Sequence, residues 1–318
     1  MSHPAGAPVP PERGGPPAPG WRVPGGAAPG APGFPPAAPP AGPAACVRHP
    51  DRATGLTCTR CGRPACPECL REASVGHQCV DCVAQGRRGV RRGVTVAGAA
   101  PGARPAVAAA LIATNVAVFA WTALSAQSVL ANARAPLFRA WGLVPVAVAD
   151  GEWWRLVTSG FLHFGPVHLV FNMMALWVIG RDVEAALGHG RFLAVYLVSL
   201  LGGSAAVMLL TAPGANVAGA SGAVFGLMGG LAVLLRRLRF PLGQVGGLIV
   251  ANLVVTFLVP GISVAGHLGG LATGAAATAA LLHAPPQRRV PVQAAALAGL
   301  AVLLLAAVLL RVASLGPV

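Results

Sequence analysis

The sequence predicts an all-α polytopic membrane protein preceded by a small, separate cysteine-rich module. Three observations predict it. Of the 318 residues, 55% are apolar and only 10% charged, where a soluble domain carries about 25% charged residues. The apolar residues are segregated, with few long runs before residue 105 and a succession of them over 106–313. All seven cysteines fall between Cys46 and Cys82.

The net charge of +14 comes from 23 arginines without a single lysine. They lie mostly in short clusters between apolar stretches, which fits topology signals better than nucleic-acid recognition, so no nucleic-acid partner is expected. The lysine-free, Ala/Gly/Pro/Val-rich composition is that of a GC-rich bacterial genome. Met1 is followed by Pro and Gly residues rather than by a basic patch and an apolar core. No secretory signal is expected, and the N-terminus is placed in the cytoplasm of a multi-pass plasma-membrane protein.

Residues 1–44 are dominated by Pro, Gly and Ala, with Trp21 and Phe34 the only aromatics. Such a segment buries too little apolar surface to offset its ordering entropy and is expected to be a disordered tail. The cysteine module follows over 45–84. A basic linker, 85–105, contains Arg87, Arg88, Arg91 and Arg92.

The membrane domain is expected over 106–314, with seven apolar stretches near the ~20 residues a helix needs to cross ~30 Å of hydrocarbon. They lie at about 106–126, 163–180, 192–211, 221–235, 242–259, 263–283 and 292–313. With an inside N-terminus, the linker arginines, Arg181 and Arg191, Arg236, Arg237 and Arg239, and Arg288 and Arg289 all come to the cytoplasmic side. The long connection at 127–162 carries Trp141, Trp153 and Trp154, aromatics that suit a membrane interface, and is expected to be partly embedded.

In the cysteine module the candidate ligands read Cys46-x-x-His49, Cys58-x-x-Cys61, Cys66-x-x-Cys69 and Cys79-x-x-Cys82. A two-residue gap lets a tight knuckle aim two side chains at one ion, and eight N/S ligands suffice for two tetrahedral zinc sites. A reducing cytoplasm and an odd cysteine count both argue against disulfides. Spacing alone leaves open whether adjacent or alternate pairs share an ion. The pattern resembles cross-braced zinc fingers of the B-box type. That resemblance implies that Cys46, His49, Cys66 and Cys69 hold one ion and Cys58, Cys61, Cys79 and Cys82 the other. With every ligand position filled by protein, the two ions are structural, and the module is a candidate recruiter of a cytoplasmic protein partner.

Polar groups inside hydrocarbon are costly, so each asks for a reason. The second span opens with His163, His168 and Asn172, the last two four apart on one helix face. The fourth opens with Gly219-Ala220-Ser221-Gly222, and the sixth carries His267 followed by Gly270 and Gly274. Alternating topology brings all three starts to the outer half of the bilayer. Serine hydrolysis needs a base for the hydroxyl proton and donors for the developing oxyanion. His267 can be that base, with Asn172 and His168 donating beside the Ser221 amide. No Asp or Glu follows Glu184, so a dyad is expected, its imidazole oriented by packing, with Phe225 the candidate ring to stack on it. Gly270 and Gly274 on one helix, and Gly222, Gly226, Gly229 and Gly230 on the other, allow close backbone approach.

Together, Trp154-Arg155, His163-x4-His168-x3-Asn172, Gly219-Ala220-Ser221-Gly222 and His267 with Gly270-x3-Gly274 resemble the rhomboid family of intramembrane serine proteases over about 130–283. The resemblance implies a six-helix core, here extended by a seventh C-terminal transmembrane helix. It implies Ser221 as nucleophile, His267 as general base, His168 and Asn172 at the oxyanion site, and no cofactor for catalysis. It implies transmembrane protein substrates, cut from within the lipid bilayer near the outer face, and gating by the fifth span, with Gly243, Gly246 and Gly247. Trp154 and Arg155 are expected to hold the first loop against the bundle, with Glu152 as an ion-pair partner.

A catalytically inactive relative that binds membrane helices is the alternative reading, and the intact Ser221, His267, Asn172 and His168 set weighs against it. A proton-relaying transporter would need embedded carboxylates and an inverted repeat, which the sequence lacks.

Overall fold

A computed structural model describes residues 42, 44–90, 93–100 and 104–315. The tail expected over 1–44 lies almost wholly outside the described residues, as do Arg91 and Arg92. The chain divides into two compact units, Met1–Val90 and Arg91–Val318.

In the first unit, β1 (Ala45–Cys46) pairs antiparallel with β2 (His49–Ala53), and β3 (Leu70–Glu72) with β4 (His77–Cys79). Helix α1 (Val80–Gly89) follows without a break. It carries the ordered fold beyond residue 84, so the first residues expected to be linker are helical. The buried centre consists of Cys46, Cys58, Cys66, Cys69, Cys79 and Cys82 with only Ala65 and Leu70 beside them. Two small apolar side chains do not stabilise some forty ordered residues, and the thiols must do so through something they bind.

The second unit is helical. Its long elements are α2 (Ala106–Ser125), α6 (Pro166–Leu187), α7 (His189–Leu210), α8 (Ser221–Arg237), α9 (Gly243–Leu258), α10 (Val264–His283) and α11 (Arg289–Leu315). Three short helices, α3 (Pro136–Trp141), α4 (Pro145–Ala149) and α5 (Arg155–Thr158), build the connection between α2 and α6. Each expected span coincides with one long helix, but they differ in reach. Among the described residues four helices are long and apolar enough to cross a membrane, and the segment Arg155–Phe161 with α6, bent by 95° at the join, makes five if the pair is counted as one span. Helices α8 and α9, with 17 and 16 residues, are shorter than an isolated span. At 1.5 Å per residue they reach only about 25 Å, against a hydrocarbon layer of about 30 Å.

Helix α8 tolerates this because protein rather than lipid surrounds it. It packs against α10, α7 and α6, and Ala223 through Gly230 are all buried. Its contact with α10 is backbone on backbone: a methyl on Gly270 would meet the Gly222 backbone, and one on Gly274 would meet that of Gly226. Helix α9 is the opposite case, with Val245 and Thr256 its only buried residues. Gly243, Gly246 and Gly247 face open space, so these three glycines serve no close approach.

Candidate functional site

The loop between α2 and α6 sets the entrance to α8. Arg155 is buried against its sequence neighbour Glu152 and donates to the carbonyls of Arg139 at 2.7 Å and Gly142 at 2.6 Å. Trp154 Nε1 donates to Ala140 O at 3.0 Å. The adjacent Leu143 exchanges two 2.9 Å backbone hydrogen bonds with Val217, and Gly219 N donates to Ser159 O at 3.0 Å. The short segment leading to Ser221 is thus held at both ends by the loop. Arg155 acts through backbone carbonyls of its own loop.

Gly219 has φ +141°, a conformation that disfavours any side chain. It also has no room for one. A β-carbon there would lie 2.8 Å from His168 Cε1, 3.0 Å from its Nε2 and 3.4 Å from Ser221 Oγ. The missing side chain is what lets the His168 ring and the Ser221 hydroxyl sit together over one backbone position.

Ser221 is the first residue of α8, so its own amide is among the N–H groups that the helix leaves free. One turn later Phe225 stacks on His267, ring centroids 4.1 Å apart at 17°. Gly266, just before the histidine, points its carbonyl at Gly222, 3.2 Å from where a β-carbon would be. Ser221 and His267 are thereby brought to facing sides of the α8–α10 contact. Among the described residues no hydrogen bond joins them directly.

Hydrogen bonding settles the tautomer of one imidazole, that of His168. His168 Nδ1 accepts from the Phe164 amide at 3.3 Å, so its proton sits on Nε2, the nitrogen beside Gly219 and Ser221. His267 Nδ1 is 2.7 Å from the Thr256 hydroxyl. Asn172 donates one amide hydrogen to His168 O at 2.9 Å and retains a second. His163 is fully buried, its ring edge-on to His168 at 5.0 Å, and its carbonyl accepts from Asn132 at 2.6 Å. It supports His168 and does not reach Ser221.

Two groups escaped the sequence reading. Thr256 was overlooked because a hydroxyl in an apolar helix ordinarily bonds its own backbone. Glu184 does not stand out in the sequence beside Arg181 and Asp182. The signal for Thr256 is a hydroxyl in an otherwise apolar run.

The cysteine module presents two clusters, Cys46/His49/Cys66/Cys69 and Cys58/Cys61/Cys79/Cys82, with the ligand atoms of each within 4.8 Å of one another. Alternate pairs therefore converge, which answers the question that spacing left open. His49 Nδ1 lies 3.9, 3.4 and 3.4 Å from the sulfurs of Cys46, Cys66 and Cys69, close to the ~3.7 Å edge of a tetrahedron with 2.3 Å metal–sulfur bonds. Backbone amides lower the Cys46 and Cys58 thiols to about 6, chiefly those of Cys66 and Cys79 respectively. Burial, more than contact with neighbouring thiols, raises Cys69 to about 11 and Cys82 to about 12. One ready thiolate beside a partner that resists ionising is a set that a cation completes. Both clusters fit a metal ion.

The second unit is thus a polytopic helical domain with serine, histidine and asparagine gathered at the start of three packed helices. The Rhomboid domain family matches residues 150–284, which takes in all of these groups. Over 139 residues the chain is 45% identical to "Rhomboid protease GluP" of Bacillus subtilis (strain 168), covering 42% of this chain and 27% of that protein. It is 34% identical over 134 residues to "Putative rhomboid protease YdcA" of the same organism, covering 41% of this chain and 67% of the relative. "RHOMBOID-like protein 4" of Arabidopsis thaliana is 37% identical over 137 residues, 41% of this chain and 34% of that protein. The chain belongs to the rhomboid family. Of the first and third of these relatives it spans only about a third or less.

Proposed function

We propose that the protein is an intramembrane serine endopeptidase that cleaves transmembrane helices near the outer face of the plasma membrane. The observation that carries this reading is the stacking of His267 on Phe225, one helical turn from Ser221. Relatives named as rhomboid proteases support it.

In this mechanism Ser221 Oγ attacks the scissile carbonyl carbon as its proton passes to His267 Nε2. The carbonyl π electrons move to oxygen, and that oxyanion accepts hydrogen bonds from His168 Nε2–H, the free Asn172 amide hydrogen and the Ser221 backbone N–H. His267 returns the proton to the leaving amine. Water, deprotonated by the same imidazole, then hydrolyses the acyl-enzyme. Because α8 is short, Ser221 starts about 5 Å inside the hydrocarbon boundary if Arg236 and Arg237 mark the other face. A substrate must therefore unwind locally to present its peptide bond.

The arginine clusters support an inside N-terminus with all seven helices as spans. The Cys₃His and Cys₄ clusters would hold two structural zinc ions, which fix the module's fold and take no part in hydrolysis. A cytoplasmic protein partner for the module belongs to the same proposal.

The test is labelling in detergent with a serine-directed fluorophosphonate, together with cleavage of a reconstituted transmembrane substrate. Wild type is expected to label and cleave, and Ser221→Ala and His267→Ala to do neither. Equal labelling of Ser221→Ala would overturn the reading.

A further inference from the structure

Thr256 is the only buried polar residue of α9, a helix that otherwise buries just Val245. Its hydroxyl oxygen stands 2.7 Å from the Asn252 carbonyl one turn earlier and 2.7 Å from His267 Nδ1. A hydroxyl has one proton, and a carbonyl can only accept. All three groups are satisfied in one arrangement: Thr256 donates to Asn252 O, and His267 donates its Nδ1–H to Thr256. The imidazole is then the Nδ1–H tautomer, with a bare lone pair on Nε2.

We infer that Thr256 is a positioning residue for His267, its hydroxyl oxygen accepting the Nδ1–H and so keeping Nε2 unprotonated for Ser221. The inference rests on the Ser221–His267 reading above and supplies what that dyad otherwise lacks. Stacking on Phe225 fixes the plane of the ring but does not distinguish its two nitrogens. A directional acceptor at Nδ1 does. His168 on α6 is a titratable neighbour of His267. Helix α8 carries charge only at Arg236 and Arg237, its far end, and α9 carries none, so no carboxylate competes for this role among the described residues.

The back-bonded geometry explains why threonine suits the position. Its proton is committed to its own helix, so the oxygen is presented as an acceptor. The side chain of Asn252, half-buried, donates to Leu248 O of its own helix at 2.9 Å. Only its backbone carbonyl, the acceptor for Thr256, takes part in the site.

Thr256→Val keeps the shape and removes the acceptor, and Thr256→Ser keeps the acceptor. On a reconstituted transmembrane substrate, Thr256→Val is expected to lower kcat by about 10- to 100-fold with KM unchanged, since positioned acid–base catalysis contributes about 10²–10⁴-fold. Thr256→Ser is expected to stay within about threefold of wild type by the same reasoning. The fluorophosphonate reaction rate should fall in parallel.

A second readout uses wild type alone, so it does not depend on a variant folding. With ¹⁵N-labelled histidine, the His267 signal, identified by its loss in His267→Ala, is expected to show a protonated Nδ1 and a bare Nε2. A bare Nδ1 in wild type, or undiminished kcat in folded Thr256→Val, overturns the inference. If wild type neither labels nor cleaves, it is the protease reading that fails, while the tautomer measurement still reports on Thr256.

Discussion

Glu184, fully buried near the end of α6, caps the start of α2 by accepting from the amide of Ala108 at 2.8 Å. Its other oxygen accepts from Val107 N at 2.9 Å and from the His189 ring. Pro105, at the helix boundary, provides no side-chain cap. A carboxylate from a helix distant in sequence therefore supplies the negative charge that a helix N-terminus favours.

Glu184→Ala leaves the buried Ala108 amide, the half-buried Val107 amide and the half-exposed His189 imidazole without their partner. It is expected to cost about 3 kcal/mol of stability, in the range for removing one member of a buried charged network. Glu184→Gln retains one acceptor oxygen and should lose less. Unfolding midpoints in detergent check the order, and an unchanged midpoint for Glu184→Ala would show that water replaces the cap.

The α8–α10 contact separates glycines that are needed from those that are not. A methyl on Gly270 meets the Gly222 backbone, whereas one on Gly246 meets nothing within 4 Å. Backbone cannot rotate away as a side chain can, so Gly270→Ala must part the helices that carry Ser221 and His267. It is expected to abolish phosphonate labelling and to destabilise by about 1–3 kcal/mol, the usual range for overpacking. Gly246→Ala should match wild type in both. Full labelling of Gly270→Ala would show that this contact is not what aligns the two side chains.

Much of this was legible in the sequence because hydrocarbon makes polar residues conspicuous. His168, Asn172, Ser221 and His267 stood out as polar groups at one depth, and the ring chosen for His267, Phe225, is the one that stacks on it. The paired Glu152 and Arg155 were legible from their proximity. Thr256 was not, since its role depends on α9 folding back across a short hairpin to place residue 256 beside residue 267, and no spacing rule encodes that. The shortness of α8 shows in its short, Gly/Ala-rich apolar run, but that of α9 does not, because an apolar run shows where a helix can form but not where its caps stop it. The shared ligand sets of the metal clusters were legible only through the B-box resemblance, since spacing alone does not say which knuckles converge.

Phe225 gives a graded test of how the imidazole is held. Replacing it with Leu removes a stacking interaction of about 0.5–1.5 kcal/mol, which corresponds to about a three- to tenfold loss of rate if the ring must be held flat to react. Phe225→Tyr keeps the stack and should retain activity. Second-order rates of phosphonate labelling distinguish the two. Equal rates for Phe225→Leu and wild type would mean that α10 packing alone orients His267.

The cysteine module should depend on metal and on pH in a defined direction. Cys46 and Cys58, one in each cluster, are lowered from the ordinary 9.0 to about 6. A thiol held below its unfolded value contributes stability that is fully present above that value and is lost as pH falls through the folded one. Protons also compete directly with the metal for thiolate. Metal content of the full chain is therefore expected to fall as the pH is taken from alkaline to acid, because protons compete for every ligand thiolate. Dialysis across that range, with released zinc read by a colorimetric chelator, measures it. Stripping the metal with a strong chelator at neutral pH should make residues 45–89 protease-sensitive, because thiols and two small apolar side chains are all that remain at the centre of the module. Resistance to proteolysis after complete metal removal would show that the module folds without an ion.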